Sequence, residues 1–137
     1  MKPCRYKMIA RKHDPSLIIW YALPLVGYCI LIFYLSSQPD VALPSIVPQS
    51  DKLLHLAEYA VLGALAHRFF QHLLPEKSKI FVLMVAFLFA LVYGLSDELH
   101  QSFVQGRDSS WFDVLADGAG GYLGARLTMF IFQKGRE

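Results

Sequence analysis

With 137 residues and a net charge of only +2, the chain is long enough for one domain and too weakly basic to present a nucleic-acid-binding face. Hydrophobic residues make up 55% of it and charged residues 18%, with 14% aromatic and a mean hydropathy of +0.38, which excludes disorder and points to an integral membrane protein. Cys4 and Cys29 form no disulfide framework, because one lies in a basic arm and the other in an apolar run.

Residues 1–16 form a basic arm carrying Lys2, Arg5, Lys7, Arg11 and Lys12. Leu17 to Leu35 follows without a charge, long enough to cross a hydrocarbon core of roughly 30 Å at about 1.5 Å per residue. A helix is predicted over 17–35, with Pro24 as a kink. This run exceeds the roughly 7–15 apolar residues of a signal peptide, and Tyr34-Leu35 stand where cleavage needs small residues, so a retained anchor is expected. Pro39, Pro44 and Pro48 mark a loop up to Ser50. The second helix is predicted over 53–74, closed by Pro75, the third over 80–97 and the fourth over 111–132. The fold expected is all-α: an integral membrane four-helix bundle in a single domain over 1–137.

Eleven of the thirteen basic residues fall in the arm, the 68–79 connection or the carboxyl-terminal end. Four crossings place all eleven inside, with both termini cytoplasmic, and leave only Lys52 and Arg107 outside. The start of the second helix, the end of the third and the start of the fourth then share the outer face.

Those three helix ends hold the polar residues. Asp51, His55 and Tyr59 recur at helical spacing, with Lys52 and Glu58 beside them. Asp97 and Gln101 are four apart with Glu98 between, Gly106-Arg107 makes a turn, and Asp113 and Asp117 lie one turn apart. An ionisable group at the membrane midplane costs roughly 2.5–3.5 kcal/mol on insertion scales, so Glu58 and Asp117 should face the bundle interior or water. A polar pocket opening outward is expected, with His55 and Glu98 moving protons. Asp51, Lys52, Tyr59, Gln101, Arg107 and Asp113 would bind the ligand, Arg107 through its fork of donors.

Plainer roles compete for some of these residues. Asp51 and Asp113 suit helix starts, and Ser110 to Asp113 fits a capping box. Tyr59, Trp111, Trp20 and Tyr21 fit an interfacial belt, while Ala116, Gly120 and Gly124 make a small-residue face for close helix packing within or between subunits. His67, His72 and His100 receive no role. A divalent ion on His55, Asp51, Glu98, Gln101 and Asp113 is the weaker reading, since HExxH and CxxC spacings are missing and Lys52 and Arg107 can neutralise the carboxylates. No metal and no cofactor are expected.

The pattern Asp51-Lys52-xx-His55-xxx-Tyr59, followed by Asp97-Glu98-xx-Gln101, Gly106-Arg107, Ser110, Asp113, Asp117, Gly120 and Gly124, resembles the VanZ-like family of small bacterial membrane proteins. Gln105 and Asp117 depart from the Pro and Asn usual there. The family takes its name from a protein of teicoplanin resistance. The resemblance implies several transmembrane helices in the bacterial cytoplasmic (inner) membrane, and says little about molecular activity.

The partners expected are membrane lipid and an anionic headgroup or cell-wall precursor, which the pocket would bind and could modify. Nucleic acid is not expected, and an oligomer contact would use the glycine face of the fourth helix. The alternative is a non-catalytic assembly or interaction protein whose polar cluster is structural. Transport would require an oligomer, because four helices leave little room for paired repeats.

Overall fold

The computed structural model describes residues 15–38, 50–107 and 109–134; of 15–18, 50, 51, 133 and 134 it describes the backbone alone. The basic arm lies outside these residues, apart from the backbone of Pro15 and Ser16. Four helices follow in order: α1 Pro15–Ser36, α2 Ser50–Leu73, α3 Lys79–Gln101 and α4 Trp111–Lys134. No strand occurs among the described residues. The all-α four-helix expectation holds.

Local chemistry sets the helix ends. Pro24 lies inside α1, which continues through it although proline lacks the N–H for one helical hydrogen bond. Pro75 follows α2, and the Ser78 hydroxyl caps α3 by accepting from the Phe81 N–H at 3.2 Å. α3 runs past 97 to Gln101, because Ser102 closes it by donating its N–H to the Glu98 carbonyl at 3.1 Å. This extra turn carries Glu98 and Gln101 as helical side chains. Gly106, at φ 85, supplies the left-handed residue that reverses the chain before α4.

α4 packs most closely on α2 and also lies against α3; α1 leans on α2 and touches α3 lightly. Glycine makes the α2–α4 approach possible. A Cβ at Gly120 would collide with the Leu56 carbonyl, and one at Gly124 with the Ala60 carbonyl. Gly63 meets the Gly121 carbonyl in the same way. The glycine face is thus covered by α2 and α3 of the same chain. Leu25 and Ile32 of α1, Leu62 of α2, Ala86 and Ala90 of α3, and Met129 of α4 belong to one core. Tyr93 and Tyr28 tie α1 in place by donating to the Cys29 and Glu58 carbonyls at 2.6 and 3.2 Å.

The polarity of the bundle is reversed relative to a protein in water. His55, His67, Asp97, Glu98, Gln101, Asp113 and Asp117 are buried, while Trp111, Phe112, Leu115, Leu123, Leu127, Phe130 and Ile131 line the outside of α4. Such an apolar exterior fits hydrocarbon. Ile19–Ser36 and Lys79–Gln101 are each long and apolar enough to span a bilayer. α2 and α4 carry more polar residues, of which His55, His67, Asp113, Asp117 and Thr128 are buried, while Arg68 and Arg126 near the opposite end are exposed. The chain is a membrane protein.

Candidate functional site

Glu98 lies near the end of α3, 6% exposed, and one carboxylate oxygen accepts the Ser110 N–H at 2.9 Å. Ser110 is the residue before α4, and its hydroxyl accepts from the Phe112 N–H at 3.2 Å. The expected capping box is therefore rearranged. In that motif Asp113 would reach back to the Ser110 N–H, but Glu98 takes this bond from a different helix. Asp113 turns instead to Lys52, whose Nζ stands 2.8 Å from Oδ1 and 5.9 Å from the centre of the Phe112 ring.

One turn deeper, His55 Nδ1 faces Asp117 Oδ1 at 3.0 Å, joining α2 to α4. Asp117 is fully buried, and the second oxygens of both Asp117 and Glu98 are buried without a hydrogen-bond partner among the described residues. Gly94 of α3 makes room here, since a Cβ would fall 2.9 Å from the Asp117 carboxylate. Donor atoms of His55, Glu98 and Asp117 lie within 4.8 Å of one another. Three helices thus meet in one imidazole and two carboxylates. Tyr59 is buried next to them, its ring parallel to the His55 ring with centroids 6.5 Å apart.

Arg107 is engaged elsewhere. Its Nε and Nη2 donate to the Gln38 and Leu35 carbonyls at 3.2 and 3.1 Å, capping the end of α1, where a cation complements the helix dipole. Gln101 likewise turns to a neighbour, donating Nε2 to Asp97 Oδ2 at 3.0 Å one turn back on α3. His100, given no role by its position in the chain, shares a 3.0 Å hydrogen bond with the Ser37 hydroxyl and helps hold α1 to α3.

A cavity of about 250 Å³ opens beside Glu98 between the end of α3 and the start of α4. Glu98, Ser102, Ser109 and Ser110 supply polar wall, and Leu95, Leu99, Trp111 and Val114 supply apolar wall. The first turn of α4 borders it, so the positive end of that helix dipole lies along the cavity.

The VanZ/LLP1 family pattern matches residues 17–133. The chain belongs to the VanZ/LLP1 family. The match takes in all four helices as well as the Asp51 to Gly124 segment that carried the resemblance. No curated protein and no solved structure matches the chain.

In this VanZ/LLP1 chain, the two residues read as proton carriers, His55 and Glu98, come together. Lys52 and Asp113 form a pair, and Tyr59 adjoins His55. Arg107 and Gln101 take intramolecular partners, while the Asp51 side chain lies outside the described residues. Asp117 is the principal addition. A carboxylate four residues after Asp113 in an apolar helix was visible, but its pairing with His55 depends on how closely glycine lets α4 approach α2.

Proposed function

We propose that this VanZ/LLP1 chain is a multi-pass protein of the bacterial cytoplasmic membrane, with four crossings and both termini inside. Its cavity beside Glu98 would open outward and bind an anionic headgroup of a lipid or lipid-linked cell-wall precursor. The cavity carries this reading, because it combines serine hydroxyls and a helix N-terminus with an apolar wall at the end of the bundle. A charged headgroup would sit against the first, and the start of its acyl chains against Leu95, Leu99 and Trp111. At about 250 Å³ the space lies below the roughly 300–1,000 Å³ typical of drug-sized ligand sites. It suits a headgroup and is too small for a whole glycopeptide. Altered teicoplanin sensitivity would therefore come through the envelope molecule bound rather than through capture of the drug.

Glu98 would exchange a proton with the bound group, and His55 with Asp117 would relay or hold it. Three of the five guanidinium N–H groups of Arg107 remain beyond the two donated to the Gln38 and Leu35 carbonyls, although Arg107 is not part of the cavity wall. The test is lipid retention by the full chain in nanodiscs of mixed phosphatidylglycerol and phosphatidylcholine, read by native mass spectrometry. Retention of phosphatidylglycerol that falls in Ser109→Ala and Ser110→Ala supports the reading. Equal retention of both lipids overturns it.

A second reading has its own observation. Lys52 to Asp113, His55 to Asp117, Glu98 to Ser110 and Arg107 to Leu35 each join different elements, as a purely structural cluster in an assembly protein would. Under it, Glu98→Gln lowers folded yield and lipid retention in the same proportion.

A further inference from the structure

The charge balance at the inner end of this cluster is incomplete. Among the described carboxylates there, Asp113 has Lys52 and Asp97 has Gln101. Glu98 and Asp117 each use one oxygen and keep the other buried and partnerless. Arg107, the cation available on sequence grounds to neutralise them, donates to the end of α1. A single imidazole carries at most one positive charge, and it faces two carboxylates in a place largely shut off from water. Partnerless buried acceptors are costly, and a cation between them removes that cost.

We propose that His55, Glu98 and Asp117 form a binding site for one divalent transition-metal ion, with Zn²⁺ the best fit. The geometry is suitable. In the tetrahedral shell that Zn²⁺ favours, two ligand atoms about 2.1 Å from the ion lie about 3.4 Å apart. The His55 Nδ1 to Asp117 Oδ1 separation is 3.0 Å, so an ion can take the place of the proton shared there. The third donor, from Glu98, lies within 4.8 Å of the other two, near enough for side-chain rotation to bring it to that tetrahedral separation. Ligands projecting from three facing helices into a bundle interior are a common way to build a metal centre.

The donor set also selects the ion. Mg²⁺ and Ca²⁺ favour shells built of oxygen, the first octahedral and partly hydrated, the second with six to eight ligands. One imidazole with two carboxylates suits Zn²⁺, and Mn²⁺ binds such sites less tightly. Three protein ligands leave a coordination position open, and Glu98 belongs both to this trio and to the cavity wall. Gly94 serves the site by leaving space for Asp117. The proposal stands on these three side chains and does not depend on the headgroup reading.

The experiment uses the full chain purified in detergent, incubated with Zn²⁺ or Mn²⁺, passed through a desalting column and analysed for metal by mass spectrometry. Thermal unfolding with Zn²⁺ and with EDTA is recorded alongside. Wild type should retain about one Zn²⁺ per chain and unfold at a higher temperature with Zn²⁺ than with EDTA. Asp117→Asn and Glu98→Gln should bind at least tenfold more weakly, since losing even an outer-shell partner of a ligand costs about 10–100-fold, while Arg107→Ala retains the ion. Folded wild type without retained metal or a Zn²⁺-dependent rise in unfolding temperature overturns the proposal. So does retention by a Glu98→Gln/Asp117→Asn double variant equal to wild type. Should Asp117→Asn not fold, Glu98→Gln and His55→Gln carry the comparison.

Discussion

His55 Nδ1 and Asp117 Oδ1 stand 3.0 Å apart at a buried crossing of α2 and α4, sixty-two residues apart along the chain. Removing either partner of this buried hydrogen bond leaves the other's polar atom unsatisfied, which costs roughly 1–3 kcal/mol. Asp117→Ala should therefore unfold at a clearly lower temperature than wild type. Asp117→Asn retains a polar partner for the imidazole and should lose much less. Thermal unfolding of the two variants in EDTA makes the comparison, and equal losses would show that the His55 contact adds little.

The crossing itself rests on missing side chains. At Gly124 a Cβ would collide with the Ala60 backbone carbonyl, and backbone cannot swing aside as a flexible side chain can. Gly124→Ala should force α2 and α4 apart and lower folded yield several-fold in detergent, as measured by size-exclusion chromatography. Gly27→Ala is the control. It has open space at its Cβ in α1, and Ala in a helix interior is favoured over Gly by roughly 0.5–1 kcal/mol. Its yield should equal or exceed that of wild type.

Much of this arrangement was legible along the chain. Charge placement and apolar runs identify four helices, because a residue's cost in hydrocarbon depends on its own chemistry. Helical spacing likewise gathers Lys52, His55, Glu98 and Asp113 at neighbouring helix ends. Pairing was less legible. Arg107 looked like an anion ligand because its type suits one, yet the exposed carbonyls at the end of α1 reach it from about seventy residues earlier. Ser110 and Asp113 formed a credible local cap until Glu98 and Lys52, supplied by tertiary packing, took the two partners. Asp117 was readable as an inward carboxylate. Its partner was not, because that depends on the approach distance set by Gly120 and Gly124.

Arg107 offers a separable test of its two roles. Hydrogen bonds involving a charged group contribute roughly 1.5–3 kcal/mol each, and fewer geometries allow Lys to reach two carbonyls at once. Arg107→Ala should lower the unfolding temperature, and Arg107→Lys should restore only part of it. If Arg107 acts only as the cap of α1, phosphatidylglycerol retention per folded chain stays at the wild-type value. A fall in retention per folded chain shows that its remaining donors contact the headgroup.

Orientation governs which compartment the cavity serves. With eleven of thirteen basic residues grouped in the arm, the 68–79 connection and the carboxyl-terminal end, the positive-inside rule puts the α2–α3 turn in the cytoplasm. In that proposed orientation the α3–α4 turn would lie outside. Lys77 and Gln105 are exposed in those two turns, which makes them suitable positions for single cysteines in a Cys4→Ser/Cys29→Ser background. A membrane-impermeant maleimide applied to intact cells should label Gln105→Cys and leave Lys77→Cys unlabelled until the cells are opened. Cys29 lies in the half-buried part of α1 and is replaced to remove background. The reverse labelling pattern would put Glu98 and its cavity on the cytoplasmic side, where an inner-leaflet lipid could still enter but an external cell-wall precursor could not.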